Sequence, residues 1–314
     1  MSGSATVAVP AANTLGEGVL WCDRESVVYW TDIAQAQLWR YRPGDGALTR
    51  WPMPERLAAL ALCEAEGWLL LALASRLAFF HPARGELRDV LVLPDTGARL
   101  RANDGACDRQ GRFVFGMLHE PTNGPKQAVA PFYRLTAELV LETLPLPTVA
   151  IANSVAFSPD GRTMYFCDSL QKQILRCDYG DSPGAVTVFA DLRAEDGEPD
   201  GSVVDAEGGL WNARWSGSRV VRYRPDGRQD RTLSVPVAQP TRPVFGGSML
   251  RTMFITSAHD GLDATARARD PFAGHLFATD ATDAGIAGVP EPRFAGNPND
   301  VPPCPQRGPI AELP

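Results

Sequence analysis

The chain has 314 residues, 37 acidic and 30 basic, for a net charge of −7. That balance argues against a nucleic-acid surface, which needs a basic face, and no apolar run approaches the length of a membrane span. The opening stretch, MSGSATVAVPAANTLGEG, has neither a charged n-region nor a continuous apolar h-region, so it does not read as a secretory signal and the expected location is cytoplasmic. The six cysteines (22, 63, 107, 167, 177 and 304) form no CxxC pair and read as buried thiols. Cys167 and Cys177 fall where neighbouring strands could bring them face to face.

Taken in chain order, the segments repeat. The first unit opens on Glu17 in EGVLWCDRE, turns at Asp23, and continues with SVVYWTD and QLWRYRP. The second carries Ala59 in the opening place, turns at Glu64, and continues with GWLLLAL and RLAFFHP. The third opens on Asn103, turns at Asp108, and gives GRFVFGM and APFYRL; the fourth opens on Asn153, turns at Ser158, and gives GRTMYFC and QILRCDY. The fifth opens on Asp200, turns at Asp205, and gives GGLWNAR and RVVRYRP. The sixth has Arg242-Pro243 in the opening place, turns near Gly247, and gives LRTMFIT and GHLFATD.

The turns recur roughly every 40 to 50 residues, and the Gly, Asp and Pro spacers are of hairpin type. Runs of four short strands per roughly 45 residues, without long amphipathic helical periods, predict an all-β fold, a six-bladed β-propeller over residues 1–296. The apolar segment at Ala5–Pro10 is expected to pair with the last blade near Ala287–Phe294 and so close the ring. The Pro-rich tail, 297–314, is expected to lie over the surface.

Equivalent positions in a closed ring point to one centre. Glu17, Asn103, Asn153 and Asp200 therefore converge into an all-oxygen cage suited to a hard divalent cation, while Ala59 and Arg242-Pro243 cannot complete it. Each member alone has a plainer explanation. Asn153 could tie down backbone groups, Asn103-Asp104-Gly105 could be an Asx turn, and Glu17 could be a solvated loop residue. Asp200 belongs to a PDG triplet, but SVVD and a separate AEGG turn follow it, which places it at the entrance of an inner strand. The matching register of four repeats favours the cage. The histidines (81, 119, 259 and 275) show no paired zinc spacing, and neither a GxSxG nucleophile nor a nucleotide loop is present.

Several longer motifs carry a family likeness: LGEGVLW around Glu17, RAND at Arg101–Asp104, SPDGRTMYFCDS from Ser158, PDGSVVDAEGGLWNARW from Pro199, and RPVFGGSMLRTMFITSAHDGL from Arg242. From about Leu15 to Phe294 the chain resembles the SMP-30/gluconolactonase/regucalcin family, nearest its bacterial sugar lactonases. The resemblance implies one divalent cation (Ca, Zn, Mn, Mg or Fe) in the central channel, held by Glu17, Asn153 and Asp200. It implies that Asn103 binds substrate or a metal-bound water, and that Arg101 and Glu120 contact the sugar. The Gly that follows the metal Asn in the family is Ser154 here, and the AVAPF region differs in length. The activity implied is hydrolysis of an aldonolactone to its aldonic acid. Asp200 is the expected general base, a monomer is the default state, and His119 either lines the pocket mouth or is an exposed loop histidine. A non-catalytic calcium-binding regulator, a protein-binding scaffold and a phosphotriester hydrolase are the other readings.

Overall fold

The computed structural model describes residues 5–94, 99–280, 285–302 and 309–313. Short strands rich in β-branched and aromatic residues, separated by Gly turns, build six four-stranded antiparallel sheets. Blade one runs in chain order through Gly16–Cys22, Val27–Asp32, Gln37–Arg42 and Ala47–Pro52. Its inner strand packs beside those of its two neighbours. The other inner strands are Leu57–Leu62, Leu100–Cys107, Ala152–Phe157, Glu198–Val204 and Pro240–Gly246.

Aromatic pairs fill five of the six blade junctions. Trp51–Phe80, Phe132–Phe166, Phe189–Tyr223, Trp211–Phe245 and Trp21–Phe254 have ring centroids 6.1, 5.1, 6.2, 6.1 and 6.0 Å apart. Each such pair contributes about 0.5–1.5 kcal/mol beyond its buried area.

Ring closure differs from expectation in one respect. The N-terminal strand Thr6–Val9 does pair with the last blade, but its partner is Leu276–Asp280, not the 287–294 segment. Among the described residues blade six supplies three strands of its own, and Thr6–Val9 completes the sheet on the edge of the third. The 287–294 segment instead runs across the ends of the inner strands. Gly288 bridges Asp205, Phe294 bridges Cys63, and Arg109 donates to Pro290 O at 2.9 Å. Phe294 is fully buried there. These contacts reach the first turns of blades two, three and five, so the segment covers one face of the ring.

The described tail residues reach the flank, where Leu313 pairs with Arg50 and Arg88 donates to Pro298 O at 2.8 Å. Cys167 pairs with Ile174 and Cys177 with Met164, so the two thiols do not face each other. All five described cysteines are free and buried, and Cys304 lies outside the described residues. Among the described residues no helix is long and apolar enough to cross a membrane.

Candidate metal and active site

Every inner strand breaks register with its neighbour near its beginning. The shifts fall at Glu17/Leu20, Leu57/Ala59, Ala102/Gly105, Asn153/Ala156, Pro199/Ser202 and Pro240/Pro243. A β-bulge re-aims the side chain at the break, and six of them arranged in a ring turn six positions toward one axis. Glu17, Asn103, Asn153, Asp200 and Arg242 all sit at these breaks. Two need left-handed backbone just after the site residue: Gly18 at φ +60° and, without the usual glycine, Ser154 at φ +61°. Ser154 is held there by its hydroxyl, which donates to Asp200 O at 2.6 Å and accepts from Asn212 Nδ2 at 3.0 Å.

A cavity of about 280 Å³ opens over this end of the channel. Glu17, Arg101, Asn103, Glu120, Asn153 and Asp200 all line it. At its floor the carboxyl groups of Glu17 and Asp200 face one another. Burial and then the charge of Asp104 push Glu17 up to about 8, opposed by Arg242. Burial and then Glu17 push Asp200 well above the usual carboxylate range. Asp200 Oδ1 is buried with no hydrogen-bond partner, and Asn153 stands beside it with Nδ2 committed to Ser169 Oγ at 2.9 Å. Two buried carboxylates, an orphaned oxygen and the Asn153 amide oxygen, which accepts from Asn103 Nδ2 at 3.3 Å, form a donor set that suits a hard cation. No three His, Cys, Asp or Glu side chains group as a metal site among the described residues, so such a cage depends on Asn153.

The wall toward blade three is a connected polar network. Arg101 Nη1 donates to Asn103 Oδ1 at 2.8 Å, and Asn103 Nδ2 donates to Ala152 O at 2.8 Å and Asn153 Oδ1 at 3.3 Å. Glu120 receives both arms of Arg56, at 2.9 and 2.6 Å, and Arg101 Nε at 3.5 Å. The Arg56 guanidinium, with help from Arg101, holds Glu120 down at about 2. Burial lowers the pKa of Arg101.

Arg56 was invisible to sequence reasoning because it follows a Pro-rich turn and carries no repeat signal. Ser169, Trp215, Glu198, Asp260 and Lys126 also line the cavity without having been singled out. His119 does not line it; its Nδ1 accepts from Gln127 N at 2.8 Å and so anchors the loop that bears Lys126. The turn residues Asp108 and Asp205 are structural. Asp205 accepts from Trp211 Nε1 at 2.8 Å and Arg222 Nε at 2.7 Å, and Asp108 from Tyr179 Oη at 2.8 Å.

A six-bladed ring with a polar cavity over bulged inner strands defines the class, and residues 15–259 match the model of the SMP-30/gluconolactonase/LRE-like region; the chain belongs to that family. It is 51% identical to L-arabinolactonase of Azospirillum brasilense over 300 residues, 95% of this chain and 97% of that one. It is 35% identical to 6-deoxy-6-sulfogluconolactonase of Pseudomonas putida, covering 90% of this chain and 96% of that one. Among solved structures it is similar to regucalcin, a calcium-binding protein of Agrobacterium tumefaciens, with a TM-score of 0.85 and 29% identity over 94% of this chain and 97% of that one.

Proposed function

We propose that this protein is a sugar lactonase, a carboxylic-ester hydrolase that opens a pentono- or hexonolactone to the aldonic acid with the help of one divalent cation. The observation that carries the reading is the buried, partnerless oxygen of Asp200 facing Glu17 at the floor of a cavity walled by Arg101, Asn103 and Glu120. The likeness to named lactonases supports it, and the likeness to a calcium-binding regucalcin supports the cation. Glu17, Asn153 and Asp200 would hold the ion, which when bound supplies Lewis acidity toward the lactone carbonyl.

The remaining work falls to the chain's own side chains. Asp200, once ionised, would accept the proton of the attacking water. As that water's oxygen bonds to the carbonyl carbon, the ring C–O bond breaks, and the ring oxygen leaves as a hydroxyl carrying the returned proton. Arg101, fixed by Asn103 and Glu120, donates to sugar oxygens, and Glu120, held ionised by Arg56, accepts from sugar hydroxyls. Both orient the ring.

The test is acid release from a panel of pentono- and hexonolactones, run on chelator-stripped protein before and after each metal is added back. Metal-dependent hydrolysis, strongest with an arabinonolactone, is expected. Asp200→Ala should lose both metal and turnover, and retained activity in metal-stripped Asp200→Ala would falsify the assignment. Tight cation binding with no hydrolysis of any lactone would favour a calcium-binding regulator instead.

A further inference from the structure

Next to the cage the channel holds a second buried pair that the hydrolytic scheme does not use. Asp104 comes from the bulge of blade three, adjoining Asn103. Arg242 comes from the bulge of blade six. They are only 7% and 5% exposed. Arg242 Nη1 donates to Asp104 Oδ1. The same oxygen accepts from Gly105 N at 2.8 Å, and Oδ2 accepts from Val155 N at 2.8 Å, two residues past Asn153. One carboxylate thus ties blades three, four and six together. The stem of Arg242 lies against the backbone just after Asp200: a Cβ added at Gly201 would come within 2.6 Å of Arg242 Cβ.

Burying a charge pair seldom gains stability over an apolar pair of the same volume, so spacing alone does not explain it. Beside an ion it has a specific consequence. The Arg242 guanidinium opposes cation binding, and Asp104 cancels that opposition. Both charges lie against the strands that carry the cage: Asp104 accepts from Val155 N two residues past Asn153, and the stem of Arg242 packs on Gly201 beside Asp200.

We propose that the Asp104–Arg242 pair is a charge-balanced floor to the cation site. Arg242 limits how tightly the cage holds a divalent ion, while Asp104 neutralises Arg242 and fixes the strands that present Asn103 and Asn153. This rests on Glu17, Asn153 and Asp200 being the cation site. The two charges act in opposite directions, whereas a merely structural pair would weaken binding whichever member was removed.

The experiment is calorimetric titration of calcium chloride and manganese chloride into chelator-stripped protein at pH 8. It compares wild type, Arg242→Met, Asp104→Asn and the double variant. Arg242→Met is expected to tighten cation binding by about tenfold or more, and Asp104→Asn to weaken it by about as much. The double variant should return to within about threefold of wild type. Arg242→Gln serves the same purpose should Arg242→Met fail to fold. A neutral residue at 242 that binds no tighter than wild type overturns the proposal, as does a double variant weaker than both singles. A wild type that takes up no cation overturns the cation site itself, and the floor with it.

Discussion

Ser154 shows how much one hydroxyl can organise. A non-glycine residue at φ +61° is strained, yet its Oγ joins Asp200 O, Asn212 Nδ2 and, at 3.4 Å, Cys167 Sγ. Ser154→Ala keeps the strain and removes the bridge, so a loss of about 2 kcal/mol is expected. Ser154→Gly relieves the strain and should cost less; thermal melts of the two would rank them. Arg56 acts at longer reach by occupying both oxygens of Glu120. The pair is about two-fifths exposed, so Arg56→Ala should leave the melting temperature nearly unchanged. It should instead raise KM for the lactone severalfold with little change in kcat, because Glu120 would lose its fixed orientation. Initial-rate kinetics would separate this from a loss confined to kcat.

Glu17, Asn153 and Asp200 could be found in the sequence because the inner-strand register repeats. Asn103 stands at the same register, with its substrate role resting on motif likeness, and Arg101 and Glu120 came only through that likeness. Arg56, Ser169 and the Arg242–Asp104 contact were not legible, because they depend on which residues meet across the ring and no local periodicity encodes that.

At the scale of the element, the strand count per blade was readable from turns and apolar runs, and the closure was readable only in part. Thr6–Val9 needed an edge, and the edge available was Leu276–Asp280, already visible as GHLFATD. The segment ending in Phe294 has strand-like apolar residues because it packs into the core beside Phe79, with ring centroids 5.9 Å apart. Phe294→Ala should therefore cost about 3–5 kcal/mol, measured by denaturant unfolding. Removing residues 1–10 should expose the Leu276–Asp280 edge, lower the melting temperature and increase aggregation, which light scattering would register. An unchanged melt would mean that the closing strand contributes little.

For the whole molecule, the floor of the channel couples charge to stability. The folded-state pKa of Glu17 is raised to about 8, and that of Asp200 is raised in the same direction. The folded chain then binds these protons more tightly than the unfolded chain. Their contribution to stability is fully present below the ordinary carboxylate range and is lost as pH rises toward 8. Chelator-stripped protein should melt at progressively lower temperature from about pH 5 to pH 8. A cation at about 100 times its Kd should restore roughly 2.7 kcal/mol and flatten that slope. A stripped protein whose melting temperature rises through the same window would contradict the paired-carboxylate floor.

The seam of the ring also orders events in time. Thr6 is synthesised well before its partner Ala278, which lies 272 residues further along. Blades one to five can assemble as they emerge, each on the last. The ring cannot shut until blade six is made, and joining ends so far apart is a slow, entropically costly step. Until then the first strand has no sheet to join, and the two halves of the proposed cation cage, Glu17 on one side and Asn153 with Asp200 on the other, belong to an open arc. Competence to bind metal at the proposed cage should therefore arrive in one step, when blade six is complete.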